Sequence, residues 1–140
     1  MAGDEKLELL RTVPLFASCD AREIERLGQL VEEVDLPAGK VVFREGDSAQ
    51  EMFLVVSGRL RAERGGQPVL ELGPGDMAGE MSMVAGGPRM ATLTTVTNCR
   101  VLVLGHRDFH SLMDEFPSLR TRVLESLASK VRILDTAAVH

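Results

Sequence analysis

The sequence predicts a mainly β protein with helices at both ends, and three observations carry that prediction. From about residue 33 to residue 105 the chain is a succession of short segments rich in Val, Leu, Thr and Phe: VEEVDL, KVVFRE, EMFLVVS, RLRAER, PVLEL, ATLTTV and RVLVLG. Turn signals punctuate them, namely PAG at 37–39, EGDS at 45–48, SG at 57–58, RGG at 64–66 and GPGD at 73–76. No helix of useful length separates the strands. That argues against parallel crossovers and for an antiparallel sandwich or barrel, a jelly roll among them.

Each flanking element has its own signal. LELLRTVPLF predicts a short helix ending near Pro14. Ser18 or Asp20 can cap a second helix, AREIERLGQLV, whose Ile24, Leu27, Leu30 and Val31 share one face. After the strands, HRDFHSLMDEF reads as one helix and PSLRTRVLESLASKVRIL as another, with Pro117 at a favoured first-turn position. Leu119, Val123, Leu127, Val131 and Leu134 recur at three- and four-residue steps, a stripe suited to packing on the barrel or to a partner helix. There is no internal repeat. The expected organisation is one domain over 1–140: a helical lead-in at 1–31, the barrel at 33–105 and C-terminal helices at 106–135.

Composition excludes several functions. A chain of 140 residues, 44% of them hydrophobic, is the size of one domain with a sizeable core. A net charge of −5 argues against a general nucleic-acid surface, and the absence of Tyr and Trp argues against stacking platforms for bases. Cys19 and Cys99 form no CxxC pair, so a reduced, cytoplasmic protein is expected. The N-terminus MAGDEKLELL lacks the apolar core of a secretion signal, and no run approaches the ~18 apolar residues of a membrane span. His106 and His110 have a spacing that can bind metal, but no Glu or Cys is placed to complete a set, and the segment reads as a surface helix without a metal. All three His lie at or beyond 106, outside the strand block, so a metal-dependent sugar-binding barrel enzyme is not supported and no catalytic residue is assigned. Arg120, Arg122, Lys130 and Arg132 are interspersed with Glu125 and Asp135, as on a solvated helix face.

One segment interrupts the strand pattern: GPGDMAGEMSMVAGGPRMAT, residues 73–92. Gly75 and Gly79 permit tight backbone geometry. EMSMV, residues 80–84, can make one helical turn whose free N–H groups favour an anion. Arg89 adds a fixed positive charge with a planar set of donors suited to phosphate, and Glu80 an acceptor suited to a hydroxyl. A ribose phosphate has this shape. As isolated residues, Glu80 and Arg89 read equally well as solvated charges or as an ion pair worth ~0–1 kcal/mol. Met77, Met81, Met83 and Met90 read as core filling or as adaptable ligand contacts.

Within this segment, residues 75–92 resemble the phosphate-binding cassette of the cyclic nucleotide-binding domain family. That family's pattern is roughly aromatic-Gly-Glu, then small or apolar residues, then Pro-Arg-x-Ala-Thr/Ser. Here it stands as Ala78-Gly79-Glu80, Met81 to Gly87, then Pro88-Arg89-Met90-Ala91-Thr92. VPLFASCDAREIERL is similar to the family's helical lead-in, and PAGKVVFREGDSAQEMFLVVSGRLRA to its strand pair with marker glycines at Gly46 and Gly58. FPSLRTRVLESLASKVRIL resembles the long helix of the bacterial transcription regulators in the superfamily. The likeness runs from about 10 to 134.

The resemblance implies an antiparallel β jelly-roll barrel and a regulatory domain that binds a cyclic nucleotide and transmits binding through its C-terminal helices. It implies that Glu80 accepts from the ribose 2′-hydroxyl and that Arg89 pairs with the cyclic phosphate. Backbone N–H groups near Gly79, Met81, Ser82, Met90 and Ala91 would complete the cradle, and Arg132, Leu134 and Asp135 are candidates to cover the base. The position before Gly79 is usually aromatic and is Ala78 here. The position after the arginine often carries a hydroxyl and is Met90 here, which points to cAMP rather than cGMP as ligand. No cofactor is implied. Alternatives are a fragment of a transcription regulator or allosteric effector, or an interaction module that no longer binds nucleotide. No helix-turn-helix is present in this chain. The 117–134 helix offers a surface for a homodimer, and an effector domain outside this chain is the other way to deliver a signal.

Overall fold

The computed structural model describes residues 3–12, 16–79, 82–83 and 86–139, with side chains described except at 3, 4, 126 and 130–139. Helix α1 (Gly3–Thr12) leads into α2 (Ala21–Leu30). Of the two candidate caps it is Asp20 that starts α2. Its carboxylate accepts from the Glu23 amide at 2.8 Å while the Glu23 carboxylate accepts from the Asp20 amide at 3.1 Å, a reciprocal capping box. The strands follow as β1 (Glu32–Leu36), β2 (Val41–Phe43), β3 (Glu51–Ser57), β4 (Leu60–Arg64), β5 (Gln67–Leu72), β6 (Met77–Ala78), β7 (Thr92–Thr95) and β8 (Cys99–Gly105). Helices α3 (His106–Glu115) and α4 (Pro117–Val139) complete the chain. The two-residue β6 inside the Gly-rich segment has no counterpart in the sequence reading, since two residues are too short to show a period.

Every strand pair is antiparallel. One sheet has the order β1-β8-β3-β6 and the other β2-β7-β4-β5. The predicted mainly β, antiparallel roll with helices at both ends is therefore what the chain forms. The inner strands β3 and β8 of the first sheet bury residues on both faces, which explains why EMFLVV shows no polar alternation. Met52, Leu54, Leu102 and Leu104 face a core shared with the helices: Leu10, Ile24, Leu27, Phe109, Leu112, Phe116, Leu119 and Val123. Phe53, Val55 and Val101 point the other way, into the space between the sheets with Leu60, Leu72 and Leu93. Of the predicted stripe on α4, Leu119 and Val123 are buried and Leu127 is half-buried, while the side chains of Val131 and Leu134 lie outside the described residues.

The start of α2 grips the α3–α4 junction. Ser118 donates to the Glu23 carboxylate at 3.3 Å, Arg26 meets Glu115 at 3.2 Å, and the Arg22 guanidinium lies 5.6 Å from the centre of the Phe116 ring. Arg122 donates to the Cys19 sulfur at 2.9 Å, so α4 is held from the α2 side along its first two turns. The exposed Arg26–Glu115 pair contributes at most ~1 kcal/mol; Glu23, 5% exposed and fully engaged, is the firmer point. Beyond this grip α4 runs back beside β5.

One marker glycine is explained by space. Gly58 has φ +91° at the β3–β4 turn, and a Cβ there would collide with the Asn98 carbonyl and stand 2.8 Å from the Cys99 Cα. Both are backbone atoms that cannot yield separately. Gly58→Ala is expected to cost more than ~2 kcal/mol, read as a fall of several degrees in thermal unfolding, whereas Gly39→Ala, with nothing near its Cβ, bears only the conformational cost of its positive φ.

Candidate ligand site

The cassette is built around Arg89. Its backbone is locked in both directions to the β2–β3 loop: the Arg89 amide donates to the Asp47 carbonyl at 2.8 Å, and the Gly46 amide donates to the Arg89 carbonyl at 2.9 Å. The Asp47 carboxylate in turn accepts from the Arg44 amide at 3.1 Å, and the Thr92 hydroxyl accepts from the Glu45 amide at 3.0 Å. These bonds fix where the arginine begins. They also use its own amide, which is therefore not a donor for a ligand.

The side chain turns inward and is only 4% exposed. Nη2 donates to the Glu51 carbonyl at 2.8 Å, and the guanidinium carbon lies 4.2 Å from the centre of the Phe43 ring. Gly79 forms the opposite wall. With φ +85°, its missing Cβ would stand 2.5 Å from Nη1 and 3.2 Å from the Glu51 carbonyl, so a side chain here would be strained by the backbone and would displace the guanidinium from its present position. Among the described residues, Nε and Nη1 are buried without a hydrogen-bond partner. Burial pushes the Arg89 pKa down, and the nearby charges of Glu51 and Asp47 push it back up. The group stays a cation at any physiological pH.

The other predicted site residues fall as follows. Ser82 is buried, and its hydroxyl donates to the Pro88 carbonyl at 3.1 Å while its own carbonyl accepts from the Gly86 amide at 2.9 Å. It braces the loop from inside. Met90 is 47% exposed, so of the clustered methionines Met77 and Met83 fill the core and Met90 does not. Ala91 is half-buried against the space between the sheets. Glu80 and Met81 lie outside the described residues, and so do the side chains of Arg132, Leu134 and Asp135. No group of three or more His, Cys, Asp or Glu able to hold a metal occurs among the described residues. Two contributors escaped the sequence reading: the Phe43 ring and the Glu51 carbonyl. A backbone carbonyl carries no sequence signal, and Phe43 reads only as one apolar strand residue among many.

Met83 connects this site to the helices. It is buried in the helical core, and its sulfur is 3.4 Å from Nδ1 of His106 at the start of α3.

The cassette thus places on an antiparallel roll a buried cation with two nitrogens unpartnered among the described residues, an arrangement chemically suited to an anion. The family model described as the cyclic nucleotide-binding domain matches residues 33–116, and the chain belongs to that family. It is 30% identical over 130 residues to the CRP-like cAMP-activated global transcriptional regulator of Mycobacterium tuberculosis, covering 89% of this chain and 58% of that protein. It is 33% identical over 112 residues to a cyclic nucleotide-gated potassium channel of Rhizobium etli, covering 80% of this chain and 31% of the channel. The cAMP-bound structure of PfPKA-R superposes with a TM-score of 0.87 at 18% identity, over 97% of this chain and 47% of that one, a likeness of fold. This chain spans less than two thirds of each relative's length. No helix among the described residues is long and apolar enough to cross a membrane.

A buried charge with few partners has a measurable signature. Truncating one member of a well-paired buried ion pair costs ~3–5 kcal/mol, whereas replacing a poorly compensated charge by an apolar side chain is neutral or stabilising. The folded state disfavours the charged form of Arg89, and this penalty persists at every pH below arginine's ordinary range. Arg89→Met is therefore expected to leave the thermal midpoint of the ligand-free protein unchanged or up to about 5 °C higher at pH 6, 7 and 8 alike, by calorimetric scanning.

Proposed function

We propose that this domain is a cyclic nucleotide sensor whose ligand is cAMP, and that it is not an enzyme. The observation that carries the reading is the Arg89 guanidinium, buried yet with Nε and Nη1 unpartnered among the described residues. A cyclic phosphate supplies the acceptors these nitrogens lack. Glu80 would accept from the ribose 2′-hydroxyl, and amides near Gly79, Met81, Ser82, Met90 and Ala91 would complete the cradle. Met90, exposed beside the arginine and lacking a hydroxyl, favours cAMP over cGMP. The base would lie between β5 and α4, under Arg132, Leu134 and Asp135.

In this reading, capture of the phosphate draws the 79–92 loop inward and shifts Met83. That change reaches His106 and Phe109 and alters how α4 sits on its grip from α2. Only contacts that differ between the two arrangements shift the population. The domain would act in the cytoplasm and deliver its signal through α4, either to a second copy across the exposed side of Leu124 or to an effector domain. A regulator of transcription is favoured over a channel, because the M. tuberculosis regulator matches over more of its own length than the channel does.

Titration calorimetry tests the ligand. The protein is expected to bind cAMP more tightly than cGMP, and Arg89→Ala, losing two or more charge-assisted bonds, to weaken cAMP binding at least ~100-fold. A folded wild type that binds neither nucleotide overturns the reading. Hydrogen exchange tests the output: cAMP is expected to slow exchange in the loop at 79–92 and to change it along α4, and an α4 indifferent to ligand would remove the proposed route.

A further inference from the structure

The sensor reading assigns Arg89 to the phosphate but does not say what keeps a long, flexible cation aimed at it. The holder is one contiguous segment, residues 43–51. It provides the Phe43 ring at 4.2 Å, the Gly46 amide, the Asp47 carbonyl and the Glu51 carbonyl. Three of these four contacts are backbone groups. The only side chain among them is Phe43.

We propose that Phe43 is a positioning residue for ligand capture: the negative face of its ring, rather than its bulk, holds the Arg89 guanidinium where the phosphate arrives. This rests on the sensor reading of the same site. The geometry is that of a cation–π contact, which requires the cation within about 6 Å of the ring centre and strengthens when the pair is withdrawn from water. Here the arginine is 4% exposed. The guanidinium carbon lies over the ring and the Glu51 carbonyl takes Nη2; among the described residues Nε and Nη1 have no hydrogen-bond partner, and these are the nitrogens an anion would meet. The ring is itself fixed. Phe43 pairs with Leu93 across β2 and β7, next to a register shift between Val41 and Phe43. Its ring also packs on the buried Phe53, 6.0 Å between centres and tilted by 35°. Phe53 is on β3, the strand that carries Glu51, so one strand sets both the ring and the carbonyl.

Consider the ligand-free protein without the π contact. Only the Glu51 carbonyl and the more distant charges of Glu51 and Asp47 would then offset the desolvation of the cation. The arginine would turn outward to water, and ligand binding would have to bring it back. The loss falls on affinity, because the rehydrated guanidinium compensates the free protein for the lost contact.

The test replaces Phe43 alone, by site-specific incorporation, with 4-fluoro-, 3,5-difluoro- and 3,4,5-trifluorophenylalanine. Each fluorine drains charge from the ring face with little change in size. Titration with cAMP is expected to show log Kd rising stepwise along the series, by about tenfold in all, with the ligand-free thermal midpoint almost constant. Phe43→Leu should match or exceed the trifluoro variant. If the wild type binds cAMP and Kd stays flat along the series, Phe43 acts by packing only and the proposal is wrong while the sensor reading stands. If Kd rises only together with a falling midpoint, the ring is a general stability element and the proposal is again wrong. If the wild type binds no cAMP while remaining folded, the sensor reading fails first and the proposal falls with it.

Discussion

The arrangement of this protein turns on one charge that is removed from water before it has enough partners. A guanidinium at 4% exposure, with two nitrogens unpartnered among the described residues, is costly to bury, and a protein keeps it only where the surroundings hold it in place. Here they do. Its backbone is tied to the β2–β3 loop, its guanidinium carbon lies over an aromatic ring, and Nη1 is against a glycine with a positive φ. In the function proposed above, an anion would supply the acceptors that these nitrogens lack among the described residues.

The β roll is the means by which this arrangement is made rigid. Antiparallel pairing sets β2 beside β7 in one sheet, and packing of Phe43 on Phe53 brings β3 of the other sheet against them, so the ring, the carbonyl and the arginine meet where the two sheets face each other. The loop that remains is braced from within by Ser82 to Pro88. Met83, one residue on, belongs to the helical core, so the cassette cannot move without moving something packed against α3. At the other end of that core, Glu23 and Arg22 of α2 hold the α3–α4 junction. Ligand capture and helix position thus share one packed body, the physical requirement for a sensor.

Much of this was legible beforehand. The strand block, its turns, both pairs of helices and the cassette stand out because each carries a local signal: a period, a punctuating glycine, a cap. Asp20 was one of two candidate caps, and Glu23 three residues on, completing the box, is the signal that separates it from Ser18. What was not legible depends on long-range contact. β6 has only two residues. The continuous apolar run of β3 hides that its residues serve two different cores. The holder of Arg89 was missed because three of its parts are backbone groups, and its fourth, Phe43, differs from its neighbours only in what the fold brings to it. Met90 was grouped with the buried methionines by proximity in sequence, but proximity does not set exposure.

The double-sided sheet has one further consequence. Along β3 and β8 the even-numbered residues Met52, Leu54, Leu102 and Leu104 belong to the helices, and the odd-numbered Phe53, Val55 and Val101 belong to the chamber behind the arginine. Parity in the sequence is therefore a division of labour. A substitution at an even position disturbs the packing of the helices first, and one at an odd position the packing between the sheets first.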